Sequence, residues 1–436
     1  MSKSDAKRPQ GGPGSPTRRV VIQGGAALAG AAAGTGAITG FPMVWAQKLR
    51  DVTLNHTGMS YSTLAEIAQQ ATKDLGFKVT MTVVDHPGMT NRLVNAPKSI
   101  DIADMEIWQA KFAVPQGVTQ AVDTRKVKNW DQLTPLYTKG TFNGKDVSRE
   151  GDAPFPIMYR PSREAKTFAG KVTEWATFLP GVYNADTLGI RPDLVGRPIT
   201  SWADLISSDF KGKTAIQNIP TNGSMDAMMA LQSAGLMKFG NMGNPSKQEI
   251  ADMVGHLVKL KKDGHFRALW NTFDESVNLM ASGEVVIQSM WSPAVTAVKA
   301  QGVKCVYQPL KEGYRGWGNG LALMRHLDGL KLDAAYEYLT WYNSGWVGAF
   351  IAKQGYYSAN PETAMANLTP NERGFFYEGK PATADITSPT GQKTNAAGEV
   401  RDGGSYVERF SKVAIWNSLP QNAEYLYAKW NEFNAA

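Results

Sequence analysis

Apolar positions along the chain alternate between two periods. Over residues 62–75, Leu64, Ile67, Ala68, Ala71 and Leu75 recur at three- and four-residue spacing, which predicts a helix stopped by Gly76. Residues 77–84 switch at once to period two, the mark of a half-buried strand. The exchange continues downstream. Strands are predicted over 51–54, over 99–108 with a polar and aromatic tip at Glu106-Ile107-Trp108, and over 174–183, 214–219 and 284–290. Helices are predicted over 224–234, over 246–262 behind a Ser246/Glu249 capping box, and over 274–281 closed by Gly283. Ser201 and Asp204 open a shorter helix, and two aromatic-rich helices are expected over 332–350 and 406–433. Residues 136–171 and 360–404 keep no period and read as loops. Repeated strand–helix alternation implies an α/β architecture with mostly parallel sheets.

One stretch breaks the pattern. Residues 312–323, Glu-Gly-Tyr-Arg-Gly-Trp-Gly-Asn-Gly-Leu-Ala-Leu, hold four glycines among one Trp, one Arg, one Tyr and one Asn. Glycine lets a backbone turn sharply or approach a ligand, so the stretch reads as a flexible, ligand-facing loop entering a buried strand.

Composition is that of an ordinary globular protein, with 42% hydrophobic and 19% charged residues in 436. The N-terminus is different. A polar, basic segment leads into Thr17-Arg18-Arg19-Val20-Val21, then a mildly apolar Ala/Gly run, then Val44-Trp45-Ala46. This is a charged region, an apolar region and a small-residue cleavage site in order, so residues 1–46 read as an export signal ending at Ala46. The pair Arg18-Arg19 resembles the twin-arginine export motif. Without this segment the net charge falls from +7 to about +3, too small an excess to imply nucleic acid. No further apolar stretch is long enough to span a membrane.

Much chemistry is missing. Five scattered histidines and a single cysteine, Cys305, fit no metal-ligand spacing, and no nucleophile elbow or phosphate loop is present. No metal or cofactor is expected. What remains are tryptophans at or beside predicted strand ends: Trp108, Trp175, Trp291 and Trp317. Ligands of open α/β sheets sit beyond the carboxyl ends of the strands, and indole faces hold cations or sugar rings.

Thr200-Ser201-Trp202-Ala203-Asp204-Leu205, followed by Phe210-Lys211-Gly212-Lys213, resembles the substrate-binding proteins of ABC importers, nearest the spermidine/putrescine-binding family. The similarity extends over about residues 54–357. It implies two α/β lobes, each a mostly parallel sheet flanked by helices, joined by hinge strands and closing on a small ligand. Lobe 1 would be 47–175 plus 318–360, and lobe 2 would be 176–317 plus 361–436. The glycines near Trp317 would then be slack where the chain crosses between lobes. Trp291 and Trp317 match family tryptophans that line the ligand slot, Trp108 falls near a family Tyr, and Trp175 sits at a lobe crossing. Asn222 and Tyr356 complete the candidate wall.

The charge pattern departs from the family. Asn319 stands where its members have Asp, residues 220–224 supply no acid where a ligand loop is expected, and Arg315 lies beside the site. A polyamine is therefore disfavoured unless Glu106 or Asp274 supplies the missing negative charge. The resemblance implies a monomeric periplasmic protein that performs no reaction and passes a small polar metabolite to an ABC permease; the departures point to an amine-containing or zwitterionic compound, with Arg315 on a zwitterion's acidic end. A sugar or polyol, a true polyamine, and an exported hydrolase remain alternatives.

Overall fold

The computed structural model describes residues 49–436; the export-signal reading, with Arg18, Arg19 and Ala46, lies outside them. In the first lobe, β1 (Thr53–Gly58), β2 (Lys78–Val83) and β3 (Ile102–Glu106) run parallel in the order β2-β1-β3. Helices α1 (Ala65–Leu75) and α2 (His86–Asn95) connect them. The predicted stop of α1 is present, with Gly76 at φ 75° in the left-handed region that glycine favours.

The second lobe repeats the scheme. Strand β4 (Leu179–Ile190) enters it, and β5 (Thr214–Gln217), β6 (Phe266–Trp270) and β7 (Ile287–Met290) pair parallel in the order β6-β5-β7. Helices α3 (Pro220–Ser233), α4 (Lys247–Lys262), α5 (Phe273–Ser282) and α6 (Ser292–Ala300) cover its faces. The Ser246/Glu249 capping box opens α4 as the sequence requires.

Strand β8 (Tyr314–Met324) runs antiparallel to β4 from Leu179↔Leu321 to Asp186↔Arg315, and its far end pairs with β3. These two long strands thread both lobes and join them into one curled sheet. Helices α7 (Gly329–Tyr342) and α8 (Trp346–Lys353) return to the first lobe. Strand β9 (Val413–Trp416) pairs with β8, and α9 (Ala423–Ala435) packs on α4. Leu54, Ile102, Leu323 and Leu339 share one core with Phe375, Tyr406 and Phe410. The second lobe has a core on each face of its sheet, one around Trp202, Met228 and Trp430 and the other around Trp270 and Val295.

Four expectations are corrected. Residues 312–323 are a fully buried strand from Tyr314 onward, and the glycines there serve packing, not slack. A Cβ on Gly316 would meet the Trp416 ring, one on Gly318 the Tyr137 hydroxyl, and one on Gly320 the Phe178 ring. Residues 220–224 begin helix α3, with Pro220 in its first turn, and are not a loop. The helix expected over 332–350 is two, broken at Gly345 with φ 112°. The terminal helix expected over 406–433 is interrupted by β9, whose Val413, Ile415 and Trp416 satisfy the edge of β8.

Candidate functional site

A cavity of about 490 Å³ lies between the lobes, within the range of small-ligand sites. Its wall is built where parallel strands end. Tyr61 follows β1, Asp85 and His86 follow β2, and Glu106 is the last residue of β3. From the second lobe, Ile219 and Asn222 follow β5, Asn271, Thr272 and Phe273 follow β6, and Trp291 follows β7. The crossing strands add Asp186 and Trp317, and the segments after α8 and β9 add Tyr356 and Asn417. This is the placement that open α/β sheets impose on ligand sites.

Aromatic rings form two faces. Tyr61, Trp317 and Tyr356 pack together at centroid separations of 5.0, 5.4 and 5.7 Å. From the second lobe, Trp291 stands edge-on to Trp270 at 5.0 Å and stacks on Phe273 at 6.5 Å.

Two buried carboxylates face the same space from unlike surroundings. Glu106 receives the indole N–H of Trp108 at 2.5 Å, an N–H of Asn417, and the His86 imidazole at 2.8 Å. Burial pushes its pKa up, but His86, Asn417 and Trp108 together outweigh burial and hold it below the ordinary glutamate value. His86 responds in the opposite sense. Burial pushes it down, and the Glu106 charge raises it overall. Asp186 is pushed up to about 6, by burial first, with only partial relief from Arg315. Its Oδ1 accepts the Tyr307 hydroxyl at 3.0 Å, and Arg315 reaches its Oδ2 at 3.4 Å.

Arg315 is the main correction to the charge reading. It is 1% exposed and donates to Asp226 at 2.7 Å and to Asn417 Oδ1 at 2.6 Å, besides reaching Asp186. Two acids share this one guanidinium, so it opposes no cation in the cavity and offers nothing to a ligand's acidic end. Asn319 is also withdrawn. It is 0% exposed, and its amide donates to Asp104 and to Ser62 beneath the wall. Strand alternation puts Arg315, Trp317 and Asn319 on one face of β8, but of these only Trp317 reaches the cavity.

Among the other candidates, Asn222, Trp291 and Tyr356 line the wall. Trp108 stands behind it, stacked on His86 at 6.0 Å and bonded to Glu106. Trp175 does not belong to the wall: it sits in a small separate sheet with Arg125 5.6 Å over its ring. Glu106 supplies negative charge and Asp274 does not line the cavity. Sequence reasoning missed Asp186, Tyr61, His86 and Asn417. Tyr61 and His86 could have been found as polar aromatics just past parallel strands, and Asp186 as the one charged residue inside a fully buried strand. Among the described residues, no group of His, Cys, Asp and Glu is arranged to hold a metal ion, and no helix is long and apolar enough to cross a membrane.

The family model described as bacterial extracellular solute-binding protein matches residues 66–372. No curated protein matches the chain. Solved structures with the same fold include a GABA receptor, with a TM-score of 0.58 and 16% identity over 88% of this chain and 97% of that one. The spermidine/putrescine ABC transporter substrate-binding protein PotD from Streptococcus pneumoniae has a TM-score of 0.55 and 13% identity, covering 87% of this chain and 99% of its own. The binding protein MotA from A. tumefaciens B6, in complex with glucopine, has a TM-score of 0.52 and 16% identity, covering 88% and 99%. Two-lobe substrate-binding proteins are thus the structural neighbours of this mixed α/β fold.

Proposed function

Because the chain belongs to the bacterial extracellular solute-binding protein family, we propose that it captures a small cationic, amine-bearing metabolite between its lobes and delivers it to an ABC importer. The observation that carries this reading is the wall itself, in which Glu106, Asp186 and Asp85 are joined by five Tyr, Trp and Phe side chains, no Lys or Arg, and one basic group, His86, paired with Glu106. An ammonium leaving water needs compensating carboxylates, and each aromatic face it meets contributes about 0.5–2 kcal/mol. The neighbours named for GABA and for spermidine/putrescine are named for amines, which supports the same class.

Ligand bridging the walls would favour the closed arrangement, and the importer would read that state. Residues 1–46 would direct the chain to the periplasm, where it acts as a monomer without a cofactor and without performing a reaction. A thermal-shift panel of amines, quaternary ammonium compounds, sugars and polyols tests this. A ligand at about 100 times its Kd adds about 2.7 kcal/mol, so at least one ammonium compound should raise the Tm clearly. Stabilisation by sugars or polyols alone would overturn the reading.

A further inference from the structure

A second, smaller cavity of about 30 Å³ lies at the joint of the lobes, with room for one or two water-sized occupants. Ser292 and Lys299 of α6 line it from the second lobe, and Lys353 at the end of α8 lines it from the first. Arg401, Asp402 and Arg409 close it from the C-terminal segment. Ser292 Oγ donates to the Gly355 carbonyl at 3.1 Å, and these two residues directly adjoin Trp291 and Tyr356 of the ligand cavity.

The charges around this small cavity do not balance. Lys299 is held by Glu399 at 2.9 Å and by Asp402 at 3.4 Å, and Lys353 by Glu372 at 2.7 Å. Arg401 and Arg409 are only 8% and 1% exposed, yet among the described residues neither guanidinium has a carboxylate within ion-pair distance. Their partners are neutral. Arg401 donates to the Phe376 and Gly355 carbonyls at 3.0 and 2.6 Å, which leaves its Nε–H without an acceptor among the described residues. Arg409 donates to the Gly403 and Asp402 carbonyls and to Asn184 Oδ1. The Tyr357 ring lies 4.5 Å from Arg401 and the Tyr307 ring 5.1 Å from Arg409, but a ring face carries no net charge. Burial, with the Arg409 charge beyond it, pushes Arg401 down to about 10. With Lys299 matched to Glu399 and Lys353 to Glu372, the two arginines against Asp402 leave one buried positive charge in excess. Such a charge is costly unless something compensates it.

We infer that this cavity binds a small monovalent inorganic anion, chloride by size and charge, between the Arg401 and Arg409 guanidiniums. One negative charge cancels the excess, and guanidinium N–H groups make strong charge-assisted bonds to anions. Asp402 on the same wall would repel a doubly charged oxyanion. Bound there, the ion braces the joint beside Trp291 and Tyr356. The inference does not depend on which solute the larger cavity takes.

Thermal denaturation of the intact, solute-free protein tests it, in sodium chloride against sodium gluconate at equal ionic strength, gluconate being too large for the cavity. Chloride should raise the Tm saturably, by about 2 °C at about ten times its Kd, and Arg401→Met should lose that difference. Should the variant fail to fold, crystals of the wild type soaked in bromide decide, with the anomalous signal of bromide expected between Arg401 and Arg409. Equal Tm values in the two salts, a chloride effect undiminished in Arg401→Met, or bromide bound only elsewhere would each overturn the inference. So would stabilisation by sulfate without stabilisation by chloride.

Discussion

Glu106 and Asp186 share one cavity, yet their surroundings push them in opposite directions. Glu106 is met by three donors of its own, from His86, Trp108 and Asn417, and stays below its ordinary value despite burial. Asp186 shares a single guanidinium with Asp226, and burial wins, lifting it to about 6. The difference teaches that a buried acid stays ionised when a cation is committed to it alone and neutral donors add to that, and does not when it must share its cation with a second acid. Glu106 is the permanent negative charge of the site, and Asp186 is a conditional one.

The comparison breaks first at Arg315. Arg315→Met would strand Asp186 and Asp226 in the core, and loss of one partner of a buried ion pair costs about 3–5 kcal/mol. Chemical denaturation should show that loss, and an unchanged midpoint would mean that the acids are held neutral by other means. Next is Glu106→Gln. Removing a buried, hydrogen-bonded charge from a binding site costs at least about 2 kcal/mol, roughly 30-fold in affinity. The His86 pKa, followed by NMR, should fall at the same time because Glu106 is what raises it.

Asp186 gives the pH signature. Its folded value of about 6 exceeds the ordinary 3.8, so its contribution to folding is complete below 3.8 and is lost as pH rises through 6. Cation binding runs the other way, since it needs the ionised carboxylate. Affinity should fall about tenfold between pH 7 and pH 5 from this group. His86, charging over the same direction of pH, would weaken a cation further. In Asp186→Asn the component centred near pH 6 should vanish, leaving only that of His86. A wild-type profile flat from pH 5 to 7 would remove Asp186 from the site. The smallest effect belongs to Trp291→Ala, about fivefold in affinity, on the order of 1 kcal/mol for one lost aromatic face. Trp291 is only partly buried, so the Tm of the free protein should change little.

The fold was legible because its signals are local. The helix over 62–75 announces itself by period and a terminal glycine, and α4 by a capping box from Ser246 to Glu249. Asn222, Trp291 and Trp317 could be placed on the wall because they follow or lie on strands near the carboxyl edge. The charge of the site was not legible, because it is settled across strands. Arg315 is spent on Asp186 of β4 and Asp226 of α3, and Asn319 on Asp104 of β3, pairings that neighbouring residues in sequence do not reveal. The same holds for the glycines of β8, whose need comes from Trp416, Tyr137 and Phe178 on other elements.

The central claim is that this cleft selects positive charge through Glu106. The most direct measurement is a thermal-shift panel read in parallel on wild type and Glu106→Gln. An ammonium compound should raise the wild-type Tm and lose most of that shift in the variant, with sugars and polyols inert in both. A neutral compound that stabilises both proteins equally, with no ammonium compound active, would contradict the account.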